Sequence, residues 1–134
     1  MSWAIVQLRR AVAFGLVALV VVAMVAPVGV AAKDGDRIYR GSCTNRSDWK
    51  LKLSPEDGRI EVEFEVDTPR IGQTWSVRLK QNGVRFFLGT RTTTSPSGSF
   101  EVRRVRPNTP GSDFFVARAV NLRTGEVCRG TGTF

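Results

Sequence analysis

Beyond its first 32 residues, the chain predicts an all-β fold, a sandwich of two antiparallel sheets. Three observations carry this. From Ser47 onward, apolar and polar side chains alternate with period two. Clusters of Gly, Pro, Asn and Asp interrupt the alternation every ~8 to 14 residues, which sets the strand length. No stretch repeats with the period of an amphipathic helix long enough to form one.

The first predicted strand places Trp49, Leu51 and Leu53 on one face and Lys50 and Lys52 on the other, and it stops at Pro55-Glu56-Asp57-Gly58. The second alternates more strictly: Ile60, Val62, Phe64 and Val66 point one way and Glu61, Glu63, Glu65 and Asp67 the other, so one face is core and one is wet. Pro69 and Gly72 break the chain before a third strand with Trp75, Val77 and Leu79 in phase. Asn82-Gly83 supplies the two positive-φ residues of a tight hairpin, so a fourth strand, Val84 to Thr92, returns antiparallel. Its core face is expected to hold Val84, Phe86 and Leu88, leaving Arg85, Phe87 and Arg91 outside.

A fifth strand runs from Ser99 to Arg106 with Phe100 and Val102 inward. Arg104 stands where the next core residue is due, so a bulge at Arg103-Arg104 is expected to return Val105 to the interior. Pro107 to Asp113 reads as a loop. The sixth strand is Phe114 to Asn121, with Ala117 and Ala119 on one side and Val116 and Arg118 on the other, and the last runs from Glu126 to Thr133. Seven such strands predict an antiparallel immunoglobulin-like β-sandwich, of the immunoglobulin or fibronectin type III kind, over residues 47–134. The first, second and fifth strands form one sheet and the other four form the second.

Ahead of the sandwich, Arg9 and Arg10 precede an uncharged run from Ala11 to Ala26, then Pro27, Gly29 and Val30-Ala31-Ala32. This is the layout of a secretory signal peptide, residues 1–32, with cleavage expected after Ala32. The alternative is a retained anchor, since ~20 apolar residues can cross a bilayer, but Pro27 and Gly29 interrupt a helix there. Residues 33–46 form the N-terminal segment of the mature chain. Asp34-Gly35-Asp36 lacks the spacing and terminal glutamate of a calcium loop, and it reads as a disordered terminus. Asn45-Arg46-Ser47 fits a glycosylation sequon to which no role is assigned.

Export implies an oxidising compartment, where Cys43 and Cys128 form the one possible intramolecular disulfide. Their separation implies a chain-entropy stabilisation of roughly 4 to 5 kcal/mol. Strand order supports the pairing, because Cys43 precedes the first strand and Cys128 lies near the start of the last, and these elements border the sandwich on one side.

The whole chain of 134 residues carries 20 basic and 12 acidic residues and no histidine. Taking Arg9 and Arg10 away with the leader leaves 18 basic against 12 acidic, a charge of +6. Without histidine or a free cysteine, the serine and cysteine nucleophile triads, histidine metal sites and cysteine-rich zinc sites are excluded, and the chain is not expected to be an enzyme or to hold a cofactor or metal. The stripe Glu61, Glu63, Glu65 and Asp67 resembles a carboxylate pair, yet a flat sheet face raises no pKa, and Lys50, Lys52 and Arg103 on flanking strands are expected to face it as a charge ladder. Trp49 and Trp75 stand in the inward phase and are assigned to the core. The surplus charge then falls on the other sheet, on Arg78, Lys80, Arg85, Arg91, Arg118 and Arg129, with Phe87 among them.

Such a face attracts anionic surfaces, an anionic polymer of the cell wall, acidic lipid headgroups, extracellular nucleic acid or an acidic protein at the cell surface. The expected function is therefore a non-catalytic interaction module, with no sequence-specific nucleic-acid reading, no membrane span in the mature form and a monomeric state. The second hypothesis is a small secreted inhibitor or carrier that uses an end loop such as Pro107 to Asp113, or the gap between sheets.

The stretches WKLKLS (49–54), RIEVEFEVD (59–67), SGSFEVRRV (97–105) and EVC (126–128), behind a signal peptide, resemble an uncharacterised family of short secreted actinobacterial proteins. The resemblance spans most of the mature chain and implies a compact exported β domain, with no functional residues to carry over. A looser likeness is to exported immunoglobulin-like chromophore carriers of the neocarzinostatin type, which have two disulfides where this chain has cysteines for one.

Overall fold

A computed structural model describes residues 32–134, and these form eight strands. They are β1 (Arg37–Ser42), β2 (Asp48–Glu56), β3 (Arg59–Asp67), β4 (Thr74–Gln81), β5 (Val84–Thr92), β6 (Ser99–Pro107), β7 (Phe114–Asn121) and β8 (Val127–Thr133). One sheet has the order β1-β2-β3-β6 and the other β5-β4-β7-β8, and every pair is antiparallel. The expected signal peptide falls, except for Ala32, outside the described residues.

The strict alternation of β3 does what its pattern demands. Ile60, Val62, Phe64 and Val66 are fully buried against Trp75, Val77 and Leu79 of the opposing sheet. Each such side chain contributes ~1.5 to 3 kcal/mol by leaving water. Both two-residue hairpins turn on paired positive-φ residues, Asp57-Gly58 (φ 48° and 73°) and Asn82-Gly83 (φ 48° and 81°), the conformation whose twist matches that of the strands.

Four expectations are corrected. The described residues form eight strands and not seven: β1 lies within the segment expected to carry no strand, and it pairs with β2 from Arg37↔Leu53 to Ser42↔Asp48. The sandwich therefore begins at Arg37, ahead of residue 47. Inward, β1 offers Tyr39 and Gly41, a pattern too short and mixed to register as alternation. Gly41 and Gly130 leave room for the Trp49 ring, because a Cβ at either would lie 2.7 Å from it. Tyr39 Oη donates to the Thr133 carbonyl (2.8 Å) and accepts from the Thr133 amide (3.1 Å), tying β1 to β8. The residues read as a disordered terminus are ordered as well: the Asp36 carboxylate is buried, accepts a hydrogen bond from the Lys33 amide (2.8 Å) and lies 3.7 Å from Lys52 Nζ.

The other two corrections concern side-chain phase. The bulge lies in the β4–β5 pair at Leu79/Lys80 and not at Arg103-Arg104, where the β3–β6 register runs unbroken. Val105 consequently stays outside, at 36% exposure, and Arg104 takes the inward position opposite Val62. Along β5 the bulge reverses the phase beyond Arg85. Phe87 pairs with Leu79 and packs against the core, Arg91 pairs with Trp75, and Leu88 faces outward at 59% exposure. Val84 is outside as well, at 68%.

Candidate functional site

The two sheets divide the charge unequally. The strands of β1-β2-β3-β6 mix basic and acidic residues, whereas those of β5-β4-β7-β8 carry Arg78, Lys80, Arg85, Arg91, Arg118 and Arg129 and no acid at all. On the first sheet three acids of the stripe are matched, and Asp67 instead stands opposite Asp48. Lys50 pairs with Glu65, Lys52 Nζ lies 3.1 Å from Glu63, and Arg103 pairs with Glu61 and approaches Glu63 at 3.8 Å. The hydrogen bond from Arg103 holds the buried Glu61 carboxyl below its usual range, outweighing the burial that pushes it up. Glu61, Glu63 and Glu65 form a charge ladder with these cations, each carboxylate paired.

On the second sheet, no cation forms an ion pair among the described residues. Register brings Arg78, Arg118 and Arg129 into one row across β4, β7 and β8, because Arg78 pairs with Arg118 and Arg118 with Arg129. At the usual inter-strand distance of ~4.8 Å, three guanidinium groups stand side by side over ~10 Å. Lys80 and Arg85, paired with each other, add two more charges one step along. Between them, Arg78, Lys80, Arg118 and Arg129 border a shallow hollow of about 270 Å³ floored by Phe114 and Val116. Five of the seven residues expected on this face are thus brought together.

The other two, Phe87 and Arg91, are not. They belong to the open edge of the sandwich between β5 and β6, where arginines cover aromatic rings. Arg91 and Arg104 lie over Phe87 with 5.0 and 4.5 Å from guanidinium carbon to ring centre, and Arg106 lies 4.7 Å over Phe86. Stacking of this kind holds a guanidinium in place at ~0.5 to 1 kcal/mol per exposed contact. The basic surface therefore continues around the β5 edge, a continuity that strand phase could not reveal because it rests on the bulge and on Arg104 pointing inward.

Cys43 and Cys128 are joined, with Cα atoms 4.3 Å apart, and close the opposite edge. Beside them is a second concavity that strand periodicity does not reveal. Asn45, Arg46, Ser47, Thr68, Arg70, Thr124 and Glu126 line a polar cleft of about 300 Å³ at the end of the sandwich. Glu126 is buried there, and its two oxygens accept from the Ser47 amide (2.8 Å) and hydroxyl (3.0 Å).

The loop Pro107 to Asp113 is built around a fully buried acid. Asp113 Oδ1 accepts from Gln81 Nε2, Asn82 Nδ2 and Thr109 Oγ1 at 2.7 to 2.8 Å, and Oδ2 accepts from the Thr109 amide at 2.8 Å. Burial pushes this carboxyl up, but the hydrogen bonds outweigh it and hold the group below its usual range. No group of histidine, cysteine or acidic residues suited to a metal ion occurs among the described residues.

No known protein family matches the chain, and neither a curated protein nor a solved structure is similar to it.

Proposed function

We propose that the protein is an exported immunoglobulin-like β-sandwich that binds an anionic partner, an acidic polymer or an acidic protein at the cell surface, through the outer face of β5-β4-β7-β8, without catalysis. One observation carries this reading: the outer face of four neighbouring strands presents five cations, Arg78, Lys80, Arg85, Arg118 and Arg129, and no acid, and three of these cations share one cross-strand row. The segment 1–32 delivers the chain to an oxidising compartment, in keeping with the Cys43–Cys128 bridge.

A flat face with a shallow hollow engages its partner through many exposed contacts, each worth ~1 kcal/mol or less, and not through one buried anchor. Affinity is therefore salt-dependent, since the Debye length shrinks from ~8 Å at physiological ionic strength to ~3 Å at 1 M. The test is a pull-down of the exported protein from cell-surface extract at low and high salt, with Arg78, Arg85 and Arg118 each reversed to Glu. The reversals are expected to abolish capture that substitutions in Pro107–Asp113 leave intact. Capture that survives molar salt, or that survives the three reversals, refutes the reading.

A further inference from the structure

Four loops meet at the end of the sandwich where β4, β6 and β8 begin: residues 43–47, 68–73, 93–98 and 122–126. Three of them carry one arginine each, Arg46, Arg70 and Arg123, and two place an exposed aliphatic residue beside that arginine, Ile71 and Leu122. Ile71 is 59% and Leu122 60% exposed, and the two line the same hollow of about 450 Å³ together with Arg70 and Arg123.

These positions are fixed by the backbone. The Leu122 amide donates to the Thr74 carbonyl (2.9 Å), and Asn121 Oδ1 accepts from the amides of Arg123 (2.9 Å) and Thr124 (3.0 Å), so the turn holds Leu122 outward. Around Ile71, the Gly72 amide donates to the Thr93 carbonyl (2.8 Å) and the buried Thr93 hydroxyl donates to the Arg70 carbonyl (2.7 Å). The loop-closing residue Gly98 has φ +82°, and a Cβ there would lie 2.4 Å from the Thr68 carbonyl oxygen. Two aliphatic side chains are thus held largely exposed to water by a built scaffold.

The exposed charge within the four loops has one sign. The four loops contain one acid, Glu126, whose carboxylate is buried and occupied by Ser47. The nearest exposed acids along the chain, Asp48 and Asp67, pair with each other on the outer face of the other sheet. Aliphatic tips ringed by arginines complement one kind of surface well: tips that enter the acyl boundary while guanidinium groups stay at the level of anionic headgroups. A protein partner needs ~800 Å² of buried surface on each side, more than a pair of loop tips presents.

We infer that this loop end docks on a lipid surface bearing anionic headgroups, with Ile71 and Leu122 inserted and Arg70 and Arg123 against phosphate. This site is distinct from the basic sheet face and does not depend on it.

The test is flotation of the disulfide-bonded protein recovered by export, every variant sharing one N-terminus, with phosphatidylcholine vesicles that contain or lack phosphatidylglycerol. Binding is expected with phosphatidylglycerol. Ile71→Ser and Leu122→Ser should each weaken it by about tenfold or more, and Arg70→Gln and Arg123→Gln by about fivefold each. Reversing Arg78 and Arg118 to Glu on the sheet face should leave these ratios between loop variants unchanged. As a readout of insertion, Ile71→Trp should be quenched by bromine-labelled acyl chains, whereas Leu88→Trp on the sheet face should not. Absence of quenching at position 71, or binding that Ile71→Ser and Leu122→Ser leave unchanged, overturns the inference. Vesicle binding lost on sheet-face reversal alone would also overturn it, assigning the lipid to that face.

Discussion

Replacing Asp113 by Ala tests whether the Pro107–Asp113 loop is scaffold or binding surface. The Asp113 side chain is fully buried and accepts four hydrogen bonds, from Gln81, Asn82 and twice from Thr109. A bond to a charged group is worth ~2 kcal/mol, so four give ~8 kcal/mol. Keeping a carboxylate out of water offsets several kcal/mol of this, which leaves a net loss of ~4 kcal/mol when the group is removed and its donors are orphaned. In urea, at a slope of ~1 to 2 kcal/mol/M, the unfolding midpoint should fall by ~2 to 4 M.

Asp113→Asn keeps an acceptor at Oδ1 and sets an amide against the Thr109 N–H, so it should lose about half as much. The pH dependence follows from the same contacts. The folded Asp113 carboxyl titrates below its ordinary 3.8, so its contribution is complete above that pH and is lost as pH falls through the folded value. Asp36 and Glu61, also lowered, act in the same direction. Asp113→Asn should therefore flatten the acid limb of the stability curve without abolishing it. Tryptophan fluorescence during urea unfolding at neutral and acid pH measures both effects. A loss under ~1 kcal/mol in Asp113→Ala, or an unchanged acid limb in Asp113→Asn, would refute the assignment.

Two further outcomes follow from packing and from charge. Gly130→Ala would place a methyl group 2.7 Å from the Trp49 ring and should cost ~1 to 3 kcal/mol in urea unfolding, an effect that Trp49→Leu in the same chain should reduce; additive losses would refute the contact. Glu101 stands opposite Glu65, and partial loss of water together with the charges of Glu63 and Glu65 pushes its carboxyl above 4.5, so its contribution is best when protonated and declines as pH rises through the folded value. Because Glu101 is exposed, Glu101→Lys should raise stability at neutral pH by only ~0.5 kcal/mol, a gain that disappears once Glu65 is protonated; an equal gain at acid pH would refute the charge origin.

The strands were legible wherever one face is buried and the other wet. β3 shows it best, since a carboxylate at every second position leaves one possible orientation. The same pattern placed Lys50, Lys52 and Arg103 opposite the acidic stripe before any register was known, because strictly alternating strands have only one face left for their charges. It failed at the edges. β1 buries little and is held by Tyr39, Gly41 and Trp49 fitting against β8, contacts between residues far apart in sequence.

Local order therefore fixed the all-β character, most strand limits, the hairpin at Asn82-Gly83 and the sheet that receives the surplus charge, since period and turn chemistry are written in adjacent residues. Three-dimensional packing alone decided the phase of β5, where a bulge sends Phe87 inward and Leu88 out. It also decided that Arg104 covers Phe87 from another strand and that Arg70-Ile71 and Leu122-Arg123 share one end of the sandwich. A bulge is set by how one strand's volume fits the facing sheet, and loop neighbours are set by sheet order, so neither is encoded within any single segment.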